Sequence, residues 1–214
     1  MQKKILVTAG PTWVPIDKVR IITNIFTGRL GGEIVKEALK RKMKVTLLLG
    51  PRGIDLPRHP LLKIFHFKFF DELYKLMRRE ISSKRYDIVF HSAAVSDFKV
   101  KKIFPGKISS QKKEILIKLV PTVKIIDKIK KWDKNIFLVK FKLYFNLKRK
   151  ELIERGYKNL VSSCADLLVV NDLKDIKENS HKAFIIDKKK SVIFCRTKKE
   201  IAKKLIDKIY EKGL

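Results

Sequence analysis

"ILVTAGPT" (residues 5–12) and "TNIFTGRLGG" (residues 23–32) decide how this chain is read. The apolar run Ile5–Val7 is too short for a helix, and it breaks at Ala9-Gly10-Pro11, which marks a buried strand entering a turn. Helical periodicity begins near Leu30, just after Gly28 and beside Gly31 and Gly32. A strand, a glycine loop and a helix in that order open an α/β sheet, and the glycines let backbone N–H groups approach an anion at the helix start. The spacing is not G-x-G-x-x-G, so a tight turn with close helix packing explains the glycines equally well at this point.

The same alternation continues outward. Strand-like runs occur at Ile5–Thr8, Lys44–Leu49, Lys63–Phe67, Asp87–His91, Ile115–Val120, Ile136–Phe141 and Leu167–Val170. Between them, helical spacing fits Leu30–Arg41, Asp71–Ser82, Val123–Lys131, Arg149–Leu160 and Lys199–Tyr210. Repeated βαβ units predict an α/β fold with a doubly wound, mainly parallel, Rossmann-like sheet and helices on both faces. "AFIIDKKKSVIFCR" (residues 183–196) adds a C-terminal β-hairpin around a lysine-rich turn. No linker divides the 214 residues, so one domain is expected. The stretch Phe98–Lys113 is too polar for a core element and reads as an active-site flap.

Composition removes several classes of function. No run approaches the roughly 18 apolar residues of a membrane span, and the N-terminus lacks a signal-peptide pattern, so a cytoplasmic protein is expected. Cys164 and Cys195 have no CxxC or histidine-rich context. They read as reduced thiols in strands or at strand edges rather than as a disulfide or zinc site. His59, His66, His91 and His181 are scattered, without a nucleophile or carboxylate at motif spacing. The formal net charge of +29 suits polyanions. Its lysines recur in almost every segment, however, which describes solvated faces better than a nucleic-acid stripe and leaves a nucleotide or phosphorylated substrate as the natural anion.

Ligands of doubly wound sheets lie at the carboxyl ends of the strands. Four strand exits stand out: "TAGPT", "HSAAVSDF", "VKFK" and "VVND". "ILVTAGPTWVPIDKVRIITNIFTGRLGGEI" resembles the opening of phosphopantothenate-cysteine ligases, with their T-A-G-(G/P)-T, P-I-D-x-V-R-x-I-(S/T)-N and S-S-G-(K/R)-M-G motifs. "HSAAVSDF", "GKIS", "LVPT" and "ADLLVVND" continue the resemblance in the family's order, over about residues 3–172. Three positions depart from it: Tyr144 stands for the glutamate of F-x-x-E, Lys124 for the aspartate of P-T-P-D-I, and Lys107-Ile108-Ser109-Ser110 for K-I-K-K. The spacing from Phe141 to Asp166 is also longer than in bacterial members.

The resemblance implies a ligase that joins 4'-phosphopantothenate to L-cysteine in coenzyme A biosynthesis through an acyl-nucleotide. Mg²⁺ with ATP or CTP serves as co-substrate, and "GKISS" leans towards ATP. It assigns catalytic roles to Asn24 and Lys107, and substrate contacts to Arg20, Gly28, Arg29 and Ala94. Nucleotide contacts fall to Gly10, Thr12, Ala93, Asp97, Lys107, Thr122, Ile125, Phe141 and Lys158, with no protein metal ligand. A homodimer is implied, its contacts on the strands flanking the flap. Because the ligase motifs begin at residue 3, the chain is expected to act without the flavin-dependent decarboxylase to which bacterial ligases are often fused.

Two other classes remain open. A basic nucleic-acid-binding module would bind without nucleotide turnover. A short-chain dehydrogenase would also open with a strand and "TAG", but it needs a Tyr-x-x-x-Lys pair. Tyr74 meets Arg78 at that spacing and Tyr157 meets Val161, so no such pair is expected after Ala94.

Overall fold

A computed structural model describes residues 2–177 and 180–211. Its main sheet has the order β12-β11-β10-β9-β6-β1-β4-β5. In chain order the parallel strands are β1 (Lys4–Ala9), β4 (Lys44–Leu49), β5 (Leu62–His66), β6 (Ile88–His91), β9 (Phe137–Tyr144) and β10 (Leu167–Ile176). β1 is buried from Ile5 to Ala9, and apolar throughout Ile5–Val7, because both its faces are covered. Ile5, Val7 and Ala9 point into one core and Leu6 into the other, as a period of two requires. The first core lies under α1 (Arg29–Lys40) and α5 (Lys198–Glu211), the second under α2 (Phe70–Ser82), α3 (Ile126–Trp132) and α4 (Arg149–Ser162). The expected doubly wound sheet with helices on both faces is therefore present.

The chain steps outward from β1 to β4 and β5, then returns to place β6 on the other side of β1. That reversal is the topological switch point, where two crossovers diverge and leave a crevice at the strand exits. The C-terminal hairpin also forms: β11 (His181–Asp187) runs antiparallel to β10 and to β12 (Val192–Cys195).

Four expectations need correction. Ile115–Val120 is not a strand of the main sheet, since β6 pairs directly with β9 and leaves no slot between them. Only Leu119–Pro121 is extended (β8), and it pairs with β7 (Phe98–Val100) in a separate ribbon. The flap stretch therefore begins as a strand, and it is not wholly polar in role, because Ile108 is buried. A second ribbon, β2 (Trp13–Pro15) with β3 (Ile21–Thr23), was not expected, being too short to show periodicity. Cys195 sits buried in β12, but Cys164 is exposed just after α4 at φ 53, in a turn rather than a strand.

Candidate active site at the β1–β6 switch point

The exits of β1 and β6 are zipped together. The Ser92 hydroxyl donates to the Thr8 carbonyl at 2.6 Å, and the Ala93 N–H to Thr8 Oγ1 at 3.0 Å. Beyond the strand ends, the Ala94 N–H donates to the Gly10 carbonyl at 3.0 Å and the Thr12 N–H to the Ala94 carbonyl at 3.2 Å. Asn24 Nδ2 also donates to the Ala94 carbonyl, at 3.0 Å, so the carboxamide predicted to be catalytic is held over the crevice by one arm. Thr12 is fully buried, and its hydroxyl is spent on Ser96, which supports the crevice wall from behind.

The glycine loop has a packing reason of its own. Gly10 and Gly28 adopt φ 85 and φ 86, where side chains are strained. A Cβ on Gly28 would stand 2.4 Å from Gly10 N, and one on Gly31 would stand 2.6 Å from Ala9 Cβ. α1 thus lies directly on the β1 turn. Its N-terminus has no side-chain cap and no acidic residue in the first turn, which leaves N–H groups and positive dipole facing outward.

A cleft of about 380 Å³ opens on the α3–α4 side, and Ala93, Asp97, Thr122, Ile125 and Phe141 of the predicted nucleotide set line it. Five residues drawn from the segments after β6 and β8, from β9 and from the start of α3 thus converge. Thr122 is fixed by its hydroxyl to the Ser96 carbonyl at 2.7 Å and by its N–H to the Asp97 carbonyl at 2.9 Å. The sequence reading missed the cleft's cations, Lys124, Lys140 and Lys142. The last two share a strand face through i, i+2 spacing, a signal present in "VKFK". Burial lowers the Lys140 pKa, and Lys142 and Lys124 lower it further against the opposing pull of Asp127. His91 beneath them is pushed down to about 4, first by burial and then by Lys140. Crowded, partly desolvated ammonium groups are stabilised by a polyanion.

Other predicted residues stand apart. Lys107 is exposed and lines no described cleft, and Lys158 is an exposed neighbour of the cleft residue Asn159. The Arg20 guanidinium donates to Asp17 Oδ2 at 2.6 Å and to the Ile108 carbonyl at 3.1 Å. Asp17, which the sequence reading did not single out, also accepts the Ile108 N–H at 3.0 Å. These contacts moor the flap root to the first ribbon. Arg29 lines a different cleft, of about 640 Å³, outside α1 and α5.

One expectation about the dehydrogenase pair was wrong: Tyr144 and Lys148 do have Tyr-x-x-x-Lys spacing. Tyr144 ends β9 while Lys148 caps α4, and the tyrosine hydroxyl donates to the Arg155 carbonyl at 3.3 Å. The two are not on one helical face; Tyr144 shares its strand face with Lys140 and Lys142, with Lys142 Nζ 5.9 Å from its ring centroid, but is not among the residues that line the cleft.

Residues 1–212 match the family model of the DNA/pantothenate metabolism flavoprotein C-terminal domain. The chain belongs to this family. Among this flavoprotein-domain family's members, the bifunctional coenzyme A biosynthesis protein CoaBC of Thermococcus kodakarensis is 34% identical over 208 residues, covering 97% of this chain and 51% of that protein. The chain spans about half the length of the curated relatives it matches. The crystal structure of the DNA/pantothenate metabolism flavoprotein from Streptococcus pneumoniae superposes with a TM-score of 0.89 at 32% identity, over 98% of this chain and 99% of that one. A Cab2 mutant in complex with phosphopantothenate-cysteine shares the fold, with a TM-score of 0.79 at 17% identity, over 98% and 86% of the two chains.

Proposed function

We propose that the protein is a nucleotide-dependent ligase that condenses 4'-phosphopantothenate with L-cysteine, the described chain acting as one domain. The observation that carries this reading is the convergence of Ala93, Asp97, Thr122, Ile125 and Phe141 on one cation-lined cleft beside Asn24. A relative named for coenzyme A biosynthesis and a fold neighbour holding phosphopantothenate-cysteine support the choice of substrates.

The chemistry needs charge stabilisation more than an acid–base pair. A substrate carboxylate oxygen bonds to the α-phosphorus of ATP or CTP and pyrophosphate leaves; the cysteine amine then attacks the acyl carbon, and the nucleoside monophosphate departs as the amine loses a proton. Lys124, Lys140 and Lys142 hold the triphosphate, Phe141 and Ile125 pack the base, and Asn24 orients the acyl group. Lys107 closes from the flap over the charge that grows in the transition state. No group of three His, Cys, Asp or Glu among the described residues is arranged to hold a metal. Mg²⁺ would enter with the triphosphate and neutralise its charge, and Asp97 and Asp127 are the carboxylates that line the cleft.

Incubation with 4'-phosphopantothenate, cysteine, Mg²⁺ and either CTP or ATP is expected to release pyrophosphate and the ligated product, with ATP the better nucleotide. No pyrophosphate and no product with both nucleotides would overturn the reading. The homodimer belongs to the same proposal. Exposed Ile21, Ile22, Phe98 and Leu119 lie on the two ribbons flanking the flap, with exposed Ile103 on the flap itself, and apolar surface of that kind marks an interface.

A further inference from the structure

A row of side chains crosses the sheet on the face that Leu6 shares with α2, α3 and α4. Thr8 of β1 pairs in register with His91 of β6, and His91 with Lys140 of β9. Neighbouring strands thus set the three side by side. Their hydrogen bonds fix the position of a proton. Thr8 Oγ1 accepts the Ala93 N–H at 3.0 Å and lies 3.1 Å from His91 Nδ1. Thr8 is wholly buried, and among the described residues Nδ1 is the one acceptor within reach of its hydroxyl. A buried hydroxyl without an acceptor is costly, so this one donates to Nδ1. The proton of the neutral ring then sits on Nε2.

Nε2 makes no hydrogen bond to a described residue, yet His91 lines the 380 Å³ cleft together with Ala93 and Lys140. Burial first, and then the Lys140 charge, hold the ring uncharged at neutral pH by pushing its pKa down to about 4. The cleft therefore receives an N–H of fixed direction and no net charge, among donors that are otherwise ammonium groups. Its place along the cleft decides which ligand atom it meets. His91 is the last residue of β6. Three residues on, the Ala94 carbonyl holds Asn24, and on the other side Lys140 stands in register. A carboxylate at Asn24 and a pyrophosphate departing among the lysines leave the α-phosphorus between them.

We propose that His91 is a further catalytic residue, its Nε2–H a fixed, uncharged donor to a non-bridging oxygen of the nucleotide's α-phosphate, with Thr8 as its positioning residue; this rests on the ligase reading above. As the substrate carboxylate oxygen bonds to phosphorus and the bond to pyrophosphate breaks, the imidazole keeps its proton. It gives a hydrogen bond alone, strongest when charge on that oxygen is greatest. A preorganised donor of this kind acts on the transition state more than on the bound nucleotide. Thr8 acts through the ring. Without its hydroxyl both neutral tautomers become available, and the one protonated at Nδ1 has no donor for the cleft.

Heteronuclear NMR of the ring nitrogens and steady-state kinetics, both on the full chain, test the assignment. Wild-type His91 is expected to show one neutral tautomer protonated at Nε2, and its Nε2–H signal should move downfield when the α,β-methylene analogue of ATP or CTP binds. Thr8→Val should mix the tautomers and lower kcat about tenfold, the loss of one neutral hydrogen bond, with KM for the nucleotide nearly unchanged. Thr8→Ser, which keeps the hydroxyl, should recover both the tautomer and kcat. His91→Phe fills the same space without a donor and should lower kcat on the order of 10²-fold; melting curves show whether this buried change folds. A wild-type ring protonated at Nδ1, or an Nε2–H signal unmoved by either analogue at saturation, would overturn the assignment even if ligation proceeds normally. Wild-type kcat in a folded His91→Phe would overturn it too. A signal that moves with the analogue, in a protein that makes no ligated product with either nucleotide, would uphold the phosphate donor while the ligase reading fails.

Discussion

Lys140 carries more of the candidate nucleotide cleft than any residue named from the family motifs. Its ammonium is half-buried between Lys124 and Lys142, and its charge presses on His91 below. Replacing it with an isosteric apolar side chain should remove a phosphate contact and relieve both repulsions. Lys140→Met is expected to raise KM for the nucleotide about tenfold, as loss of one charge-assisted hydrogen bond does, with KM for cysteine unchanged. It should also raise the His91 pKa towards 6.5, which NMR titration of the ring would read. The sign for stability follows from the depressed folded value: neutral His91 stabilises the fold above about pH 6.5, and that contribution is lost as pH falls towards about 4. Lys140→Met should therefore lessen the acid-side fall in Tm; an unshifted ring and an unshifted nucleotide KM would refute the role.

At the scale of elements, the flap is a moored loop rather than a free one. Asp17 accepts N–H groups from Val19 at 2.7 Å, Arg20 at 2.6 Å and Ile108 at 3.0 Å, and it pairs with the Arg20 guanidinium. The Ile108 N–H is the foremost cause of its depressed pKa. A carboxylate depressed in the fold stabilises above its unfolded value near 3.8 and loses that contribution only as pH falls further, so the mooring holds throughout the neutral range. Lys107 follows directly on Gly106, whose carbonyl accepts the Lys18 N–H at 3.4 Å. This sets a fixed root for the side chain proposed to close over the cleft. Lys107→Ala should lower kcat on the order of 10²-fold, as removal of a preorganised transition-state donor does, while nucleotide binding is nearly kept. Asp17→Asn should speed hydrogen exchange at the Ile108 amide and lower kcat in the same direction. Normal turnover from both variants would return the flap to a structural role.

For the whole molecule, the +29 charge and the apolar ribbons pull in opposite directions. Self-repulsion of like charge opposes association at low salt, and screening relieves it within about 10 Å at 0.1 M. The apolar faces of β2–β3 and β7–β8 gain by burial at about 25 cal/mol per Å². Light scattering at micromolar concentration is expected to give twice the chain mass at 0.15 M salt, with dissociation favoured as salt is lowered. Phe98→Asp, placed on an exposed strand of that face, should give a monomer. A wild-type protein monomeric at every salt concentration would remove the dimer.

The sequence by itself determined the alternation of strands and helices, because buried parallel strands such as Ile5–Ala9 must be apolar on both faces and the helices between them need a 3.6-residue stripe. It also carried the local motifs after β1 and β6, whose residues stand together at the switch point, whereas "VVND" lies inside β10 rather than at its exit. Only the tertiary structure decided that β6 lies beside β1, that Lys140 joins Lys124 in one cleft, that Asp17 holds Ile108 across 91 positions, and that His181 and Arg29 line the same cleft. Such meetings depend on how crossovers wind and on which faces pack. A single chain records neither, because a lysine on a solvated face and one facing a phosphate read alike until the fold sets their neighbours.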